Sequence, residues 1–274
     1  MSYQIVADSS ANLHGGAFIS VPLKIITDTR EFVDDGTLNT REMAEFLSGY
    51  KGKSSTACPG VSDYLEAFGD AERVFCFTIT GTLSGSYNAA RLAKEDYEAQ
   101  HPSRKVTVVD TLSAGPEIRM QMEKVRQWLE EGQDPDTLDT KIAEYGKHTG
   151  LMFCLESLKN LANNGRVSPL VAKLAGVLGI RVVGRASDRG DLDPQDKCRG
   201  EKKALAKILQ RMEEQGYRGG KVEIDHCLNE TAAQELRRLI LASHPSATVT
   251  ISETTGLCTF YAELGGLMVG FEKE

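Results

Sequence analysis

The chain has 274 residues, of which 41% are apolar and 26% charged, and its formal net charge is −7. That length suits two compact domains better than one core, and the balance excludes a disordered or low-complexity chain. Basic residues scattered under a net negative charge make nucleic acid and anionic membranes poor partners, and no apolar run approaches the roughly 20 residues of a membrane span.

The first residues carry no basic segment and no signal-type apolar segment, which predicts a cytoplasmic protein. Residues 4–7 form a short apolar run stopped by Asp8-Ser9-Ser10, and 19–26 reads as a second strand interrupted by Pro22. A helix over 40–47 starts after Asn39, with Glu42 placed for a capping box. Residues 54–60 read as a polar loop. Residues 74–80 are a continuous apolar strand, followed by a turn at 81–84 and a helix to about Gln100. Another strand covers 105–109, and Pro116 suits the first turn of the next helix. Non-alternating strands between helices predict a parallel sheet covered on both faces. The polar loops Asp8-Ser9-Ser10, Thr80-Gly81-Thr82 and Asp110-Thr111 all follow strands, so they gather at the carboxyl edge where such sheets bind ligands.

A polar helix over 135–148 and a strand over 151–155 lead to a domain boundary near 149–157, giving a first unit of 1–155 and a second of 156–274. The second unit reads as a helix over 157–163, a helix over 169–178, a strand over 180–186, a turn at 188–190 and a helix over 199–215. A strand over 221–225, a helix over 230–242, a strand over 248–252 and an apolar run over 267–271 close the chain. Widely spaced strands in this half predict a two-layer α/β domain.

The strongest local signal is FTITGTLSGSYNAA over 77–90. A buried strand stops at Gly81 and a helix begins at Ser84, so the Ser84 hydroxyl and the N–H groups of Gly85 and Ser86 form a small anion trap. Serine also caps helices with no ligand present. On this segment alone both readings stand, and they can coexist. A nucleophile elbow is excluded, because Thr82 and Ser86 occupy the positions where it needs glycine. Neither GxGxxG after the first strand nor GK[ST] occurs, so no nucleotide cofactor is expected. Cysteines 58, 76, 154, 198, 227 and 258 form no CxxC pair and no zinc-type spacing, so no metal is expected either. Gly165 reads as a left-handed helix terminator with Arg166 at the negative end of the dipole. His226 reads as a turn residue held by its neighbours, and no acidic pair stands out as acid and base.

Taken together these stretches resemble the DegV family of fatty-acid-binding proteins. ADSSANL (7–13), VPLKI (21–25), STACPG (55–60), FTITGTLSGSYNAA (77–90), VVDTLSAG (108–115), SLKNLANNGRVSP (157–169), GIRVVGRASDRGDL (179–192) and IDHCLNETA (224–232) follow the family's order and spacing. The resemblance implies a Rossmann-like three-layer domain and a smaller two-layer α/β domain with a ligand tunnel between them. It implies a carrier of a long-chain fatty acid of the palmitate, stearate or oleate class, not an enzyme. The carboxylate ligands carried over by position are Thr56 and Ser84, with Gly85 beside Ser84 at the helix start. A fatty acid kinase is the implied bacterial partner, and Arg166 lies at a position near the tunnel mouth, suited to phosphate or partner contact. The chain departs from the family at Tyr261, where a histidine is common, and at Val182, where a proline is usual. The Tyr261 hydroxyl can still donate to a carboxylate but carries no positive charge. An acyl- or phosphoryl-processing enzyme on the same fold, and a lipid-sensing interaction protein, are the competing classes.

Overall fold

The computed structural model describes residues 2–13, 16, 18–172 and 179–274. Strand β1 (Tyr3–Asp8) ends in a 3-10 turn capped by the Asp8 carboxylate. Strands β2 (Ile19–Val21), β3 (Lys24–Thr27) and β4 (Glu31–Val33) precede α1 (Thr40–Gly49), where the Asn39 side chain accepts from the Glu42 N–H. Then come β5 (Ser54–Ala57), α2 (Val61–Phe68), β6 (Arg73–Thr78), α3 (Ser86–Gln100), β7 (Lys105–Asp110), α4 (Pro116–Glu130) and α5 (Leu138–Lys147). Strands β2-β1-β6-β7 form a sheet in which every pair is parallel. Strand β6 is buried at every position, which is why it reads as an unbroken apolar run. Its alternate residues serve two cores: Val74 and Cys76 pack with Tyr64, Phe68 and Tyr97 of α2 and α3, while Phe75 and Phe77 pack with Ile118, Met122 and Ile142 of α4 and α5. This is the three-layer half.

The second half contains β8 (Thr149–Leu155), α6 (Lys159–Asn163), α7 (Pro169–Ala172), β9 (Ile180–Ala186), β10 (Leu192–Arg199), α8 (Glu201–Glu214), β11 (Lys221–His226), α9 (Glu230–Ser243), β12 (Thr248–Glu253), α10 (Gly256–Ala262) and β13 (Leu267–Glu272). Its sheet has the order β10-β9-β8-β13-β11-β12, antiparallel except for the β11–β12 pair. Helices α8 and α9 cover one face through Leu205, Ile208, Leu236 and Ile240. The opposite face looks toward the first half.

Several local expectations change. Strand β8, read as the end of the first unit, is paired on both sides within the second sheet. Its residues are buried throughout, so only an interior position satisfies its backbone. The run over 19–26 is two strands in different sheets, because Pro22 has no N–H and the chain turns there onto the Leu23 N–H to Ser9 Oγ bond, 3.0 Å. The first part of the 54–60 loop is β5, paired antiparallel with β3 in a small third sheet. The helix read over 169–178 is present at Pro169–Ala172, and its remainder lies outside the described residues.

A buried ionic joint ties the halves. Arg119 of α4 donates through Nε to Glu223 (2.7 Å) and through Nη2 to Asp225 (2.6 Å), both on β11. Asn12 donates to the same Asp225 carboxylate at 2.7 Å.

Candidate functional site

Between the two halves lies a cavity of about 330 Å³. Its depth is built by strand periodicity. Leu151, Phe153 and Leu155 point into it from β8, whereas the alternate Met152 and Cys154 face the α8 core. Met268 of β13, Leu257 and Cys258 of α10, Ile79 and Leu23 continue the apolar wall. At the other end four polar side chains meet: Thr56, Ser84, Arg166 and Tyr261, with the Gly85 backbone beside them. Thr56, Ser84, Gly85, Arg166 and Tyr261 therefore line one cavity, whereas the loops at 8–10, 80–82 and 110–111 do not enter its lining.

Each is placed by a nameable device. Thr56 sits on β5, held by the ladder to β3. Its hydroxyl lies 2.8 Å from the Tyr261 hydroxyl, so the pair shares one proton and retains one to donate. Tyr261 is carried by α10, whose first N–H groups at Gly256 and Leu257 donate to the Asp34 carboxylate at 2.7 and 2.9 Å. An anion at a helix N-terminus is stabilising, and here it comes from the residue just after β4, far away in sequence. Burial raises the Asp34 carboxyl above its usual range, against these hydrogen bonds. Burial also raises the Tyr261 phenol, opposed by the Thr56 hydrogen bond and the Arg166 charge. Tyr261 is a neutral donor at physiological pH.

Helix α3 begins at Ser86, two residues later than the sequence suggests, with Gly85 at the cap position. The Ser86 N–H donates to Ser84 Oγ at 3.2 Å, so it is not free for a ligand. The Gly85 N–H has no partner among the described residues and remains available. A Cβ at Gly85 would lie 2.9 Å from Cys58 Sγ, so a larger residue there would make the exposed Cys58 side chain turn away. That close approach brings the 55–60 segment against the start of α3. Cys58, exposed beside Thr56, also lines the cavity, and no sequence pattern marks it.

Arg166 lies in the cavity lining, with its side chain less exposed than its place after a helix stop suggests. Gly165, at φ +73°, ends α6, with Gly165 N–H to Ala162 O and Arg166 N–H to Leu161 O closing the turn. The side chain then folds inward, donating from Nε to Leu83 O at 3.1 Å and from Nη1 to Asn164 O. It is half-buried in the mouth and not free on the surface. The turn after β9 closes the same edge, where Thr82 Oγ1 donates to Arg189 O at 2.8 Å and Gly190, at φ +83°, packs against Thr80. His226 lies outside the cavity wall, buried at the end of β11, where its Nδ1 accepts from the Asn229 N–H. Among the described residues no group of three or more His, Cys, Asp or Glu side chains could hold a metal.

Fold and site define a two-domain α/β protein with an amphiphilic cavity between its sheets. The family model described as "Uncharacterised protein, DegV family" matches residues 2–274, and the chain belongs to the DegV family. A DegV domain-containing protein of Streptococcus pneumoniae is 39% identical over 99% of both chains. Among solved structures, a DegV family protein from Eubacterium eligens loaded with heptadecanoic acid has a TM-score of 0.96 at 43% identity, covering 100% of both chains. The Streptococcus pneumoniae Fatty Acid Kinase (Fak) B3 protein loaded with linoleic acid has a TM-score of 0.98 at 39% identity, again over 100% of both chains. No helix among the described residues is long and apolar enough to cross a membrane.

Proposed function

We propose that this protein binds one long-chain fatty acid in the cavity and presents it to a fatty acid kinase, without itself catalysing a reaction. The observation that carries the reading is the polarity of the cavity: apolar walls from both halves and a cluster of hydroxyl donors, Thr56, Ser84 and Tyr261, in its lining. Its volume falls in the range of small-molecule sites. Thr56, Ser84, the Gly85 N–H and Tyr261 are the carboxylate ligands in this reading, and charge-assisted bonds make such a set sufficient for a half-buried anion. The acyl chain supplies about 0.8 kcal/mol per methylene removed from water. The fatty acids named for the two similar structures support the ligand class, and the kinase named for one supports the partner. Arg166 at the mouth is placed to meet the carboxylate, or the phosphate made from it.

Mass spectrometry of lipid extracted from freshly purified protein tests this. Near-stoichiometric C16–C18 fatty acid is expected. A protein without lipid that also fails to take up added palmitate or oleate overturns the proposal.

A further inference from the structure

The hydroxyl pair of the cavity comes from two pieces of chain that share no ladder: Thr56 on β5 of the small third sheet, and Tyr261 on α10. Their 2.8 Å contact requires that α10 hold one position against that sheet. Apolar packing supplies part of the hold, since Phe260 of α10 is buried with Ile25 of β3 and Met43 of α1. Such contacts press two surfaces together, but they are non-directional and leave a short helix free to slip along its axis.

Asp34 removes that freedom. It is 2% exposed and directly follows β4, in a sheet of order β4-β3-β5 where Thr56 stands opposite Ile25 of β3. Its own N–H donates to Leu23 O at 2.9 Å, which fixes it to the start of β3. Its carboxylate accepts from the Gly256 N–H at 2.7 Å and the Leu257 N–H at 2.9 Å, and Thr255 Oγ1 lies 3.3 Å away. The glycine makes this approach possible, because a Cβ at Gly256 would lie 2.8 Å from the Asp34 carboxyl carbon. Tyr261 stands on the same seven-residue helix, so a slip at Gly256 is carried along the axis to its hydroxyl.

Capping alone does not call for a buried charge. Neutral Ser, Thr and Asn cap helices well, yet Thr255 occupies the cap position without making a side-chain cap bond. A buried carboxylate with no ion pair among the described residues costs more than a neutral cap would. What the charge adds is two short directional bonds, one to each oxygen, that fix the helix in register.

We propose that Asp34 is a positioning residue of the anion site: by joining the sheet that carries Thr56 to the helix that carries Tyr261, it sets the register of the hydroxyl pair and so the affinity for a carboxylate head group. This rests on the ligand reading above. Asp34 touches no ligand and acts through Tyr261.

Asp34→Asn keeps the shape of the side chain but turns an amide donor toward one of the two N–H groups. Titrations of the full chain with palmitate and with hexadecan-1-ol, which fills the apolar walls without bringing a charge to the mouth, read the effect. Asp34→Asn should weaken palmitate binding by about tenfold and hexadecan-1-ol binding much less. In a Tyr261→Phe background the same substitution should no longer change palmitate affinity, although it should still lower the melting temperature, because only residues that act together are coupled. Gly256→Ala leaves the Asp34 charge in place and pushes it off the helix start, so it should reproduce the loss and decides the matter if Asp34→Asn does not fold. Unchanged palmitate affinity, or equal losses for palmitate and hexadecan-1-ol, overturns the proposal, and so does an undiminished effect in the Tyr261→Phe background. Failure of the parent chain to bind either ligand overturns the lipid reading itself.

Discussion

The two halves meet at two places built from opposite chemistry. At the Arg119 joint, a guanidinium, two carboxylates and an amide are buried with their bonds filled, and Lys221 adds a 2.7 Å contact to Glu223. At the cavity Leu151, Phe153, Leu155 and Met268 of the second sheet face Leu23, Ile79 and Leu83 from loops of the first half, with space left between them. Well-packed interiors leave few voids, so an apolar gap of this size persists only if its walls are held elsewhere. The Arg119 joint is the contact placed to hold them. It ties α4 of the first half to β11 of the second, and the cavity uses the spacing between the halves.

The largest expected effect breaks that division directly. Arg119→Ala leaves Glu223 and Asp225 buried without their cation, which costs about 3–5 kcal/mol in such pairs. Thermal melts of the variant should fall by on the order of 10 °C. Lipid affinity should fall as well, because the sheets lose their fixed separation. A variant that melts like the parent would mean that the halves are held by the apolar contacts alone.

A smaller effect sharpens the other side. Thr56→Val with Ser84→Ala removes donors from the mouth and leaves the apolar walls in place. Each lost hydrogen bond to a charged group costs roughly 1.5–3 kcal/mol, so together the loss is on the order of a hundredfold in affinity or more. Both side chains are half-buried and neither belongs to the joint, so the melting temperature of the lipid-free protein should change little. Unchanged affinity in the double variant, measured by palmitate titration, would move the head group away from this end.

The two contacts also differ in how far the sequence announces them. The mouth was legible because its parts sit in short polar runs directly after strands: Thr56 in STACPG and Ser84 in the turn after β6. Tyr261 came from resemblance alone, since α10 has no side-chain cap from its own sequence and borrows Asp34, just after β4. The cavity walls were not legible, because Leu151, Phe153 and Leu155 look like any buried strand until β8 is known to lie between β9 and β13. The joint was invisible for the same reason: Arg119, Glu223 and Asp225 read as ordinary charges until α4 is placed against β11. Strand β10 escaped notice because it is a polar edge strand with Pro194 at a register shift, where proline is tolerated. Strand β5 escaped as SSTA, too short and too polar to signal a strand.

The smallest expected effect concerns Arg166, which stands between the two chemistries: a charge at the rim of an apolar space. Its backbone is fixed by the Gly165 turn, and its guanidinium bridges the carbonyls of Leu83 and Asn164, which tethers α6 to the segment before α3. Neither partner is charged, so its positive charge remains available to a carboxylate at the mouth. Arg166→Lys keeps that charge and loses the planar fork that spans both carbonyls. One hydrogen bond is worth about 1 kcal/mol, so affinity should drop by about fivefold, and the melting temperature by a few degrees at most. Transfer of the bound lipid to a kinase should suffer more than affinity does, if the same guanidinium contacts phosphate bidentately. Palmitate titration, thermal melts and a coupled phosphorylation assay on one preparation separate these effects. A lowered melting temperature with unchanged affinity and unchanged phosphorylation would make Arg166 a clamp on the loop and remove it from the anion site.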